Sequence, residues 1–325
     1  MKLSIPVAVA LALALIAAPL AVEAQPAGKV PVIGFLAIGT PRLPYFEAFR
    51  EGLRDLGYME GQNVRVEARF AETSKGLPDL AAELVRLKVD VIVVVGGAPA
   101  AASRAVTGTI PIVLGASPDP VEAGFVASLA RPGGNITGMS WLSSELAGKR
   151  LELLKEVAPG VRRGAVLSNP DHPGERLDWR ELQAAARGVG MSLQYLVVRG
   201  PGDFDAAFTA IGNERAEAIV PVPDAVTLVA RQRIADFALK ARLPTVAAWS
   251  EFTDAGCLIS YGPNLYNEYR RLATYAHRIL RGANPAELPV ERPTKFELVI
   301  NLKTAKALGL TMPPSLLLRA DRIIE

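Results

Sequence analysis

Two stretches of the chain repeat one order of predicted elements, and this repeat constrains the fold more than any single motif does. In each stretch an apolar strand is followed by a helical segment that ends at a glycine, and then by a second strand. The first copy begins at residues 30–36 and the second at residues 163–168. Gly57 and Gly190, which end the helical segments, are 133 residues apart, as are Pro111 and Pro244, each of which opens a later strand. Two similar α/β units predict a cleft between them.

The length and charge of the chain fit this duplication. At ~150 residues per domain, a chain of 325 residues is long enough for two domains. Half of the residues are hydrophobic, which is sufficient for two cores. The net charge of +3 is spread along the sequence and forms no basic stripe with interleaved aromatic residues. We therefore expect no nucleic-acid partner.

Short apolar strands alternate with helical patterns along the rest of the chain. Strands are predicted at 30–36, 63–70, 91–95, 110–115, 163–168, 192–198, 218–222, 244–248, 257–261 and 296–300. Helices are predicted at 41–56, 77–88, 99–106, 144–157, 174–189, 204–215, 225–241, 264–281 and 302–308, the last capped by Asn301 and ended by Gly309. Alternation of this kind requires right-handed crossovers and parallel strands with helices on both faces. The fold class predicted is α/β, with two doubly wound parallel-sheet lobes.

The N-terminus has the features of a secretory signal peptide. Lys2 precedes an apolar stretch at 5–22, and small residues at Val22 and Ala24 suit a signal peptidase that cleaves after Ala24. A retained membrane helix is the alternative, and Pro6 and Pro19 leave too short an uninterrupted run for a span. We expect residues 1–24 to be removed and the mature protein to lie in the periplasm.

Cys257 is the only cysteine, so a disulfide within the chain is impossible. It lies in an apolar run, which predicts a buried strand residue. A thiol nucleophile would need a basic partner, and His172 and His277 are the only histidines. A structural role is therefore favoured.

Residues that directly follow the predicted strands are the candidates for ligand binding, because ligands of open α/β sheets lie beyond the carboxyl ends of the strands. Several are Gly, Ser, Thr or Asp just before a helix, where free backbone N–H groups attract anions. Each could instead serve only as a helix cap. The candidates are Thr40, Gly97, Ala98, Ser117, Asp119, Asn169, Asp224 and Trp249.

Three acidic residues among the loops are candidates for binding a ligand ammonium. Asp119, Asp224 and Glu251 each follow a predicted strand, and each could alternatively cap a helix. Trp249 could line the cleft or lie in the core.

Sequence motifs typical of enzymes are incomplete in this chain. The sequence GMSWL at 138–142 resembles a nucleophile elbow until its last position, where Leu142 replaces the required glycine. Gly96-Gly97 matches neither a dinucleotide fingerprint nor a phosphate loop, and His172 is interpreted as a loop residue rather than a metal ligand. We expect no catalytic residues, no metal and no cofactor. An exported hydrolase remains an alternative that would need an activated nucleophile.

Several short motifs occur in a fixed order along the chain. They are FREGL at 49–53, LGY at 56–58, GQN at 61–63, DPV at 119–121, RPGGNITG at 131–138 and IN at 300–301 with Ala305, Leu308 and Gly309. This ordered set resembles the motifs of ABC transporter substrate-binding proteins, in the group that includes tryptophan- and tyrosine-binding members. The resemblance covers nearly the whole mature chain. SNPD at 168–171 and PDA at 223–225 differ from the loops of the aromatic amino-acid members.

The resemblance implies a type I periplasmic binding protein whose two lobes close around a small solute, such as an amino acid or a related carboxylate. It implies crossing segments near 136–141, 259–263 and 291–296. The first lobe would comprise 28–138 and 262–290, and the second 139–261 and 291–325. It also implies a permease partner, and we expect a monomer. A ligand-sensing module for a membrane signalling receptor is the alternative.

Overall fold

Strands and helices alternate along the chain in the computed structural model, which describes residues 29–41, 44–117, 119–140 and 146–325. The strands are β1 Val32–Ile38, β2 Arg65–Ala71, β3 Val91–Val95, β4 Ile112–Ser117, β5 Ile136–Ser140, β6 Arg163–Ser168, β7 Ser192–Val197, β8 Ala218–Pro221, β9 Val246–Ala247, β10 Ile259–Gly262, β11 Glu297–Asn301 and β12 Arg322–Ile324. The helices are α1 Pro44–Asp55, α2 Leu77–Arg86, α3 Gly97–Val106, α4 Ala147–Val157, α5 Glu175–Gly188, α6 Phe204–Asn213, α7 Ala225–Val229, α8 Arg231–Ala241, α9 Ser250–Asp254, α10 Leu265–Leu280, α11 Leu302–Leu308 and α12 Pro314–Leu317. The predicted signal peptide at 1–24, Trp141 and the predicted start of α4 at Ser144 lie outside the described residues.

The first lobe is built on a parallel sheet with the strand order β2-β1-β3-β4-β5. β1 and β3 are buried along their whole length, as expected for parallel strands with helices on both faces. Ile33 and Phe35 of β1 pack in one core cluster, whereas Val32 and Leu36 pack in another. The cluster with Phe35 includes residues of α1 and α10, and the cluster with Leu36 includes residues of α2 and α3.

Helix α10 packs against α1, although some 200 residues of sequence lie between them. Gly52 permits their close approach, because a Cβ atom there would lie 2.9 Å from the Cβ atom of Ala273 and would also meet the Arg270 carbonyl. At the cleft end of this contact the rings of Tyr45 and Tyr269 stack, with their centroids 4.8 Å apart.

The second lobe contains strands in the orders β7-β6-β8 and β12-β11-β10-β9. A parallel bridge between Ile219 and Thr245 connects the two sets at β8 and β9. The pairing is parallel except between β10 and β11, which run antiparallel. The α/β class with parallel sheets flanked by helices is therefore confirmed. β11 and β12 run opposite to the other strands of this lobe, which the alternation of elements does not predict.

The family resemblance implies crossings between the lobes near β5, near β10 and before β11. A bridge between Met139 and Glu291 joins the first and last of these segments. Arg150 of α4 donates a hydrogen bond from Nε to the carbonyl of Tyr261 in β10, at 2.9 Å. These contacts lie near the crossings that the family resemblance implies, and the crossings and the boundaries of the lobes stay a prediction.

The prediction of one helix at 225–241 is wrong. The backbone of Ala230, with φ of −85° and ψ of 4°, departs from helical values, so α7 ends there and α8 begins at the next residue. The sequence did not predict α9, a helix of five residues directly after Trp249. Cys257 is buried just before β10, and burial raises the pKa of its thiol to about 12.

The predicted ends of α11 are confirmed. Asn301 Oδ1 accepts a hydrogen bond from the Thr304 backbone N–H at 3.0 Å, which satisfies a free N–H group of the first turn. Gly309 adopts the left-handed conformation with φ of 72° and ends the helix. Among the described residues, no helix combines the length and apolar character needed to cross a membrane.

Candidate functional site

A pocket lies between the lobes at the carboxyl ends of their parallel strands. Its walls are formed by Ile38, Tyr45, Val95, Gly96 and Tyr269 of the first lobe and by His172, Pro223, Asp224, Ala225, Leu228 and Trp249 of the second. The free volume is about 40 Å³, which is enough for about three water molecules. The lobes therefore lie close together in this structure.

Two stacked tyrosines form part of the first-lobe wall. Tyr45 is 2% exposed, and its hydroxyl has no hydrogen-bond partner among the described residues. Burial raises the pKa of the Tyr45 and Tyr269 hydroxyls, and the carboxyl of Glu251 in the second lobe raises both further. Both phenols are therefore neutral at physiological pH. Gly96, with φ of 98°, makes the turn from β3 that brings the start of α3 to the cleft.

Asp224 connects the second-lobe wall to the start of α7. Its Oδ1 atom accepts hydrogen bonds from the Val226 backbone N–H at 2.8 Å and from Asn169 Nδ2 at 3.2 Å. Asn169 is itself buried and accepts from the Asp171 N–H at 3.1 Å. Asp224 thus caps a helix and also lines the pocket, so the two roles that the sequence left open are compatible.

His172 also lines the pocket, in the loop after β6. It is 5% exposed, and its Nδ1 atom has no hydrogen-bond partner within the described part of the chain. Burial lowers the pKa of the imidazole, against the opposing charges of Asp224 and Glu175. The sequence correctly placed His172 in a loop but omitted it from the site, because nothing in that loop's composition shows that it turns toward the first lobe.

Trp249 and Glu251 flank the start of α9. Trp249 lines the pocket while being almost fully buried, with its ring 6.4 Å from that of Phe252. The pKa of Glu251 is raised to about 7, chiefly by burial and also by the nearby carboxylates of Glu297 and Asp254, whereas a backbone hydrogen bond and Arg231 oppose the rise. The Oε2 atom of Glu251 is buried and has no partner among the described residues.

The remaining predicted site residues occupy different surroundings. Thr40 is exposed, and Ala98 is half-buried against the first-lobe core. Asp119 accepts hydrogen bonds from the N–H groups of Val121 and Glu122 at 2.8 and 3.1 Å, outside the pocket. The side chain of Ser117 lies outside the described residues.

Gly97 starts α3 and faces the second lobe directly. A Cβ atom at this position would lie 2.9 Å from Pro173 Cδ and 3.2 Å from His172 Nδ1. The close approach of the two lobes therefore depends on the absence of a side chain here.

Polar contacts at the rim accompany this approach. Ser74 Oγ lies 3.3 Å from Asp171 Oδ2, and Arg180 lies 3.6 Å from Glu122. These groups are largely exposed, so each contact contributes little on its own. Among the described residues, no group of three or more His, Cys, Asp or Glu side chains could hold a metal ion.

Comparisons with known proteins agree with this geometry. A family described as ABC transporter substrate binding protein matches residues 29–324. A tyrosine-binding protein of Clostridioides difficile is 26% identical over 268 residues, covering 81% of this chain and 76% of that protein.

Solved structures extend the comparison. A conserved domain protein of Vibrio cholerae is 30% identical, with a TM-score of 0.85 over 91% of this chain and 100% of its own. An ABC domain of Streptococcus pneumoniae in complex with L-Trp is 24% identical, with a TM-score of 0.84 over 90% of this chain and 99% of its own. The fold is that of a type I periplasmic binding protein.

Proposed function

The chain belongs to the ABC transporter substrate binding protein family, and from this premise we propose that it is the periplasmic receptor of an importer. It binds a small solute between its lobes and delivers the solute to a permease. The observation that carries this proposal is the pocket at the carboxyl ends of both sets of parallel strands, with walls from both lobes. Ligands of open α/β sheets bind at such ends.

Binding would act by a shift between open and closed forms. A solute that contacts both lobes favours the closed form only through contacts that the open form lacks. Tyr45 and Gly96 on one side and Asp224 and Trp249 on the other are placed to provide such contacts. The crossing segments after β5 and β10 would serve as the hinge, since a few terminal residues can absorb the change in backbone angles.

An amino acid or a related carboxylate is the solute we propose. Relatives support this class, because one is a tyrosine-binding protein and another was solved with L-Trp. Asp224 would attract the ammonium group, while the first turn of α3 at Gly97 and Ala98 would attract an anionic group. Thr40, Asp119 and Asn169, which are not among the described residues of the pocket wall, complete the proposed set together with Ser117.

Export precedes this function. We propose that the segment at 1–24 directs export and is cleaved after Ala24, and that the mature protein acts as a monomer with lobes at 28–138 plus 262–290 and at 139–261 plus 291–325. N-terminal sequencing of the protein from the periplasm tests the cleavage, and sedimentation tests the monomer.

The test of the function is a search for a bound solute. Native mass spectrometry of the protein from the periplasm would show a bound small molecule, and thermal unfolding with L-tyrosine, L-tryptophan and other amino acids would show a raised midpoint for a binder. No bound solute and no shift with any small molecule would contradict a receptor function. A shift only with compounds that carry no carboxylate would contradict the solute class alone.

Asp224→Asn tests the role of the carboxylate. The amide retains an acceptor for the Val226 N–H, so the free energy of unfolding should change by less than about 1 kcal/mol. The affinity for an ammonium-bearing solute should fall by at least about tenfold, because a charge-assisted hydrogen bond is lost. Isothermal titration calorimetry measures the affinity. Asp203→Asn is a matched control, since Asp203 also accepts from a backbone N–H but lies outside the pocket. Unchanged affinity in Asp224→Asn would remove this residue from the site.

A further inference from the structure

Two buried polar atoms belong to side chains of the pocket wall, one from each lobe. The Tyr45 hydroxyl belongs to α1 of the first lobe, and His172 Nδ1 belongs to the loop after β6 of the second. The residues are 2% and 5% exposed, and neither atom has a hydrogen-bond partner among the described residues.

Such atoms are uncommon in proteins, because a buried polar group that loses water without gaining a partner is destabilising. Asp224 of the same wall is satisfied, because it accepts from a helix N–H and from Asn169 Nδ2. The two unpartnered atoms of the wall, together with Glu251 Oε2 near the Tyr45 hydroxyl, therefore point to a partner that occupies the pocket.

We propose that Tyr45 and His172 form a cross-cleft pair that hydrogen-bonds one polar group of the solute. This inference rests on the proposed solute-binding function, and it assigns solute recognition to two residues that the sequence patterns did not select.

The positions of the two residues make the pair sensitive to closure. His172 Nδ1 lies 3.2 Å from the point where a Cβ atom of Gly97 would be, so the imidazole contacts the first lobe when the lobes approach. A solute group that bonds to Tyr45 and His172 together spans the cleft. Such a solute group makes both hydrogen bonds only in the closed form, so its binding favours the closed form over the open form.

The surrounding charges define the chemistry of the group. Asp224 lines the same pocket. The Glu251 carboxyl raises the pKa of the Tyr45 hydroxyl, whereas Arg231 lowers it. No lysine or arginine is among the described residues of the pocket wall. A phenol and a neutral imidazole can each donate or accept a hydrogen bond. The carboxyl groups beside them disfavour a second carboxylate and favour a solute group that donates, such as an amine or a hydroxyl.

Removal of single atoms tests the pair. Tyr45→Phe deletes only the hydroxyl, His172→Leu deletes the ring nitrogens, and His172→Asn places an amide near the position of Nδ1. Tyr275→Phe is the matched control, because Tyr275 is also buried and donates from its hydroxyl to the Pro289 carbonyl, outside the pocket.

The probe is a defined library of amines, amino acids, hydroxylated compounds and carboxylic acids, with bound members identified by native mass spectrometry and their affinities measured by calorimetry. We expect the wild-type protein to retain members that carry an amine or a hydroxyl. Affinity should fall about tenfold or more in Tyr45→Phe and His172→Leu and recover in part in His172→Asn. The unfolding midpoint without solute should fall in Tyr275→Phe but not in Tyr45→Phe, because only the former loses a hydrogen bond.

Three outcomes would overturn the inference. If the wild type binds a member and Tyr45→Phe and His172→Leu bind it equally well, the pair has no part in recognition while the receptor function stands. If only compounds whose sole polar group is a carboxylate bind, the donor chemistry is wrong. If the wild type binds no small molecule of any class, the proposed function fails and the inference fails with it.

Discussion

At the scale of single residues, buried charge is concentrated in the second lobe behind the pocket. Asp178 is 2% exposed, and neither carboxylate oxygen has a hydrogen-bond partner among the described residues. Burial raises its pKa to about 8, against the opposing charge of Arg150, whose own pKa falls to about 10 through burial. Asp178 is therefore mostly protonated in the folded protein at neutral pH.

This shift predicts a pH-dependent effect of Asp178→Asn. Because the pKa in the folded protein lies above the ordinary value of 3.8, the contribution of Asp178 to stability is fully present below about pH 4 and is lost as pH rises to about 8. The amide in Asp178→Asn does not titrate, so its contribution to stability does not vary with pH. The advantage in unfolding free energy of Asp178→Asn over the wild type should grow by about 1 kcal/mol per pH unit in this window and then level off.

Urea unfolding at pH 5, 7 and 9 measures this difference. Asp205→Asn is the control, since the Asp205 carboxylate is exposed. A difference between Asp178→Asn and the wild type that stays constant over the three pH values would contradict the assignment.

The sequence predicted part of the site at this scale. Asp224 and Trp249 line the pocket because they directly follow strands of the second lobe, which is a local property that the sequence shows. Tyr45 and Tyr269 were missed, since their meeting depends on packing between helices that are distant in sequence. Their apolar surroundings are also those of ordinary core residues.

At the scale of elements, the alternation of strands and helices was largely predictable. β3 and β6 lie where the sequence placed them, because each is an apolar run with clear ends. The break at Ala230 was missed because the apolar spacing continues through it, and α9 because five residues are too few to show a helical period. The return of α10 to the first lobe came only from the family resemblance.

The contact between α1 and α10 predicts the effect of Gly52→Ala. An added Cβ atom would meet the Arg270 carbonyl and the Ala273 Cβ atom, and neither can move without a shift of α10. We expect a loss of about 1–3 kcal/mol in unfolding free energy, as for overpacking in other cores. Chemical denaturation of Gly52→Ala and the wild type measures this difference in unfolding free energy.

Gly212→Ala in α6 is the matched control, because no heavy atom lies within 4 Å of an added Cβ atom there. Removing a helical glycine at such a position should stabilise the protein by about 0.4–1 kcal/mol. A Gly52→Ala protein as stable as the wild type would show that the helices separate at little cost.

At the scale of the whole molecule, the approach of the lobes is limited by one backbone position. The Pro173 ring lies against Gly97, and a Cβ atom on Gly97 would be 2.9 Å from its Cδ atom and 3.1 Å from its Cγ atom. A proline ring has little freedom to move aside. The closed arrangement is thus favoured by glycine at position 97 and disfavoured by any side chain there.

Gly97→Ala should therefore disfavour closure without unfolding either lobe. We expect solute affinity to fall by about tenfold, which corresponds to about 1.4 kcal/mol against the closed form. Small-angle X-ray scattering should show a larger radius of gyration than the wild type with solute present. Gly148→Ala in α4 is the control, since its nearest contact would be an ordinary 3.7 Å. Equal compaction of Gly97→Ala and wild type would contradict this role.

The buried Cys257 has a practical consequence. With its thiol shielded and held protonated at neutral pH, the natural chain offers no reactive site to maleimide dyes. Cysteines introduced at Ser74 and Asp171, whose side chains meet at the rim, would then be the sites that react. Under mild oxidation the two thiols would form a disulfide only when the lobes are close together. With no competing thiol exposed, the rate of this cross-linking would report lobe closure in an otherwise native protein.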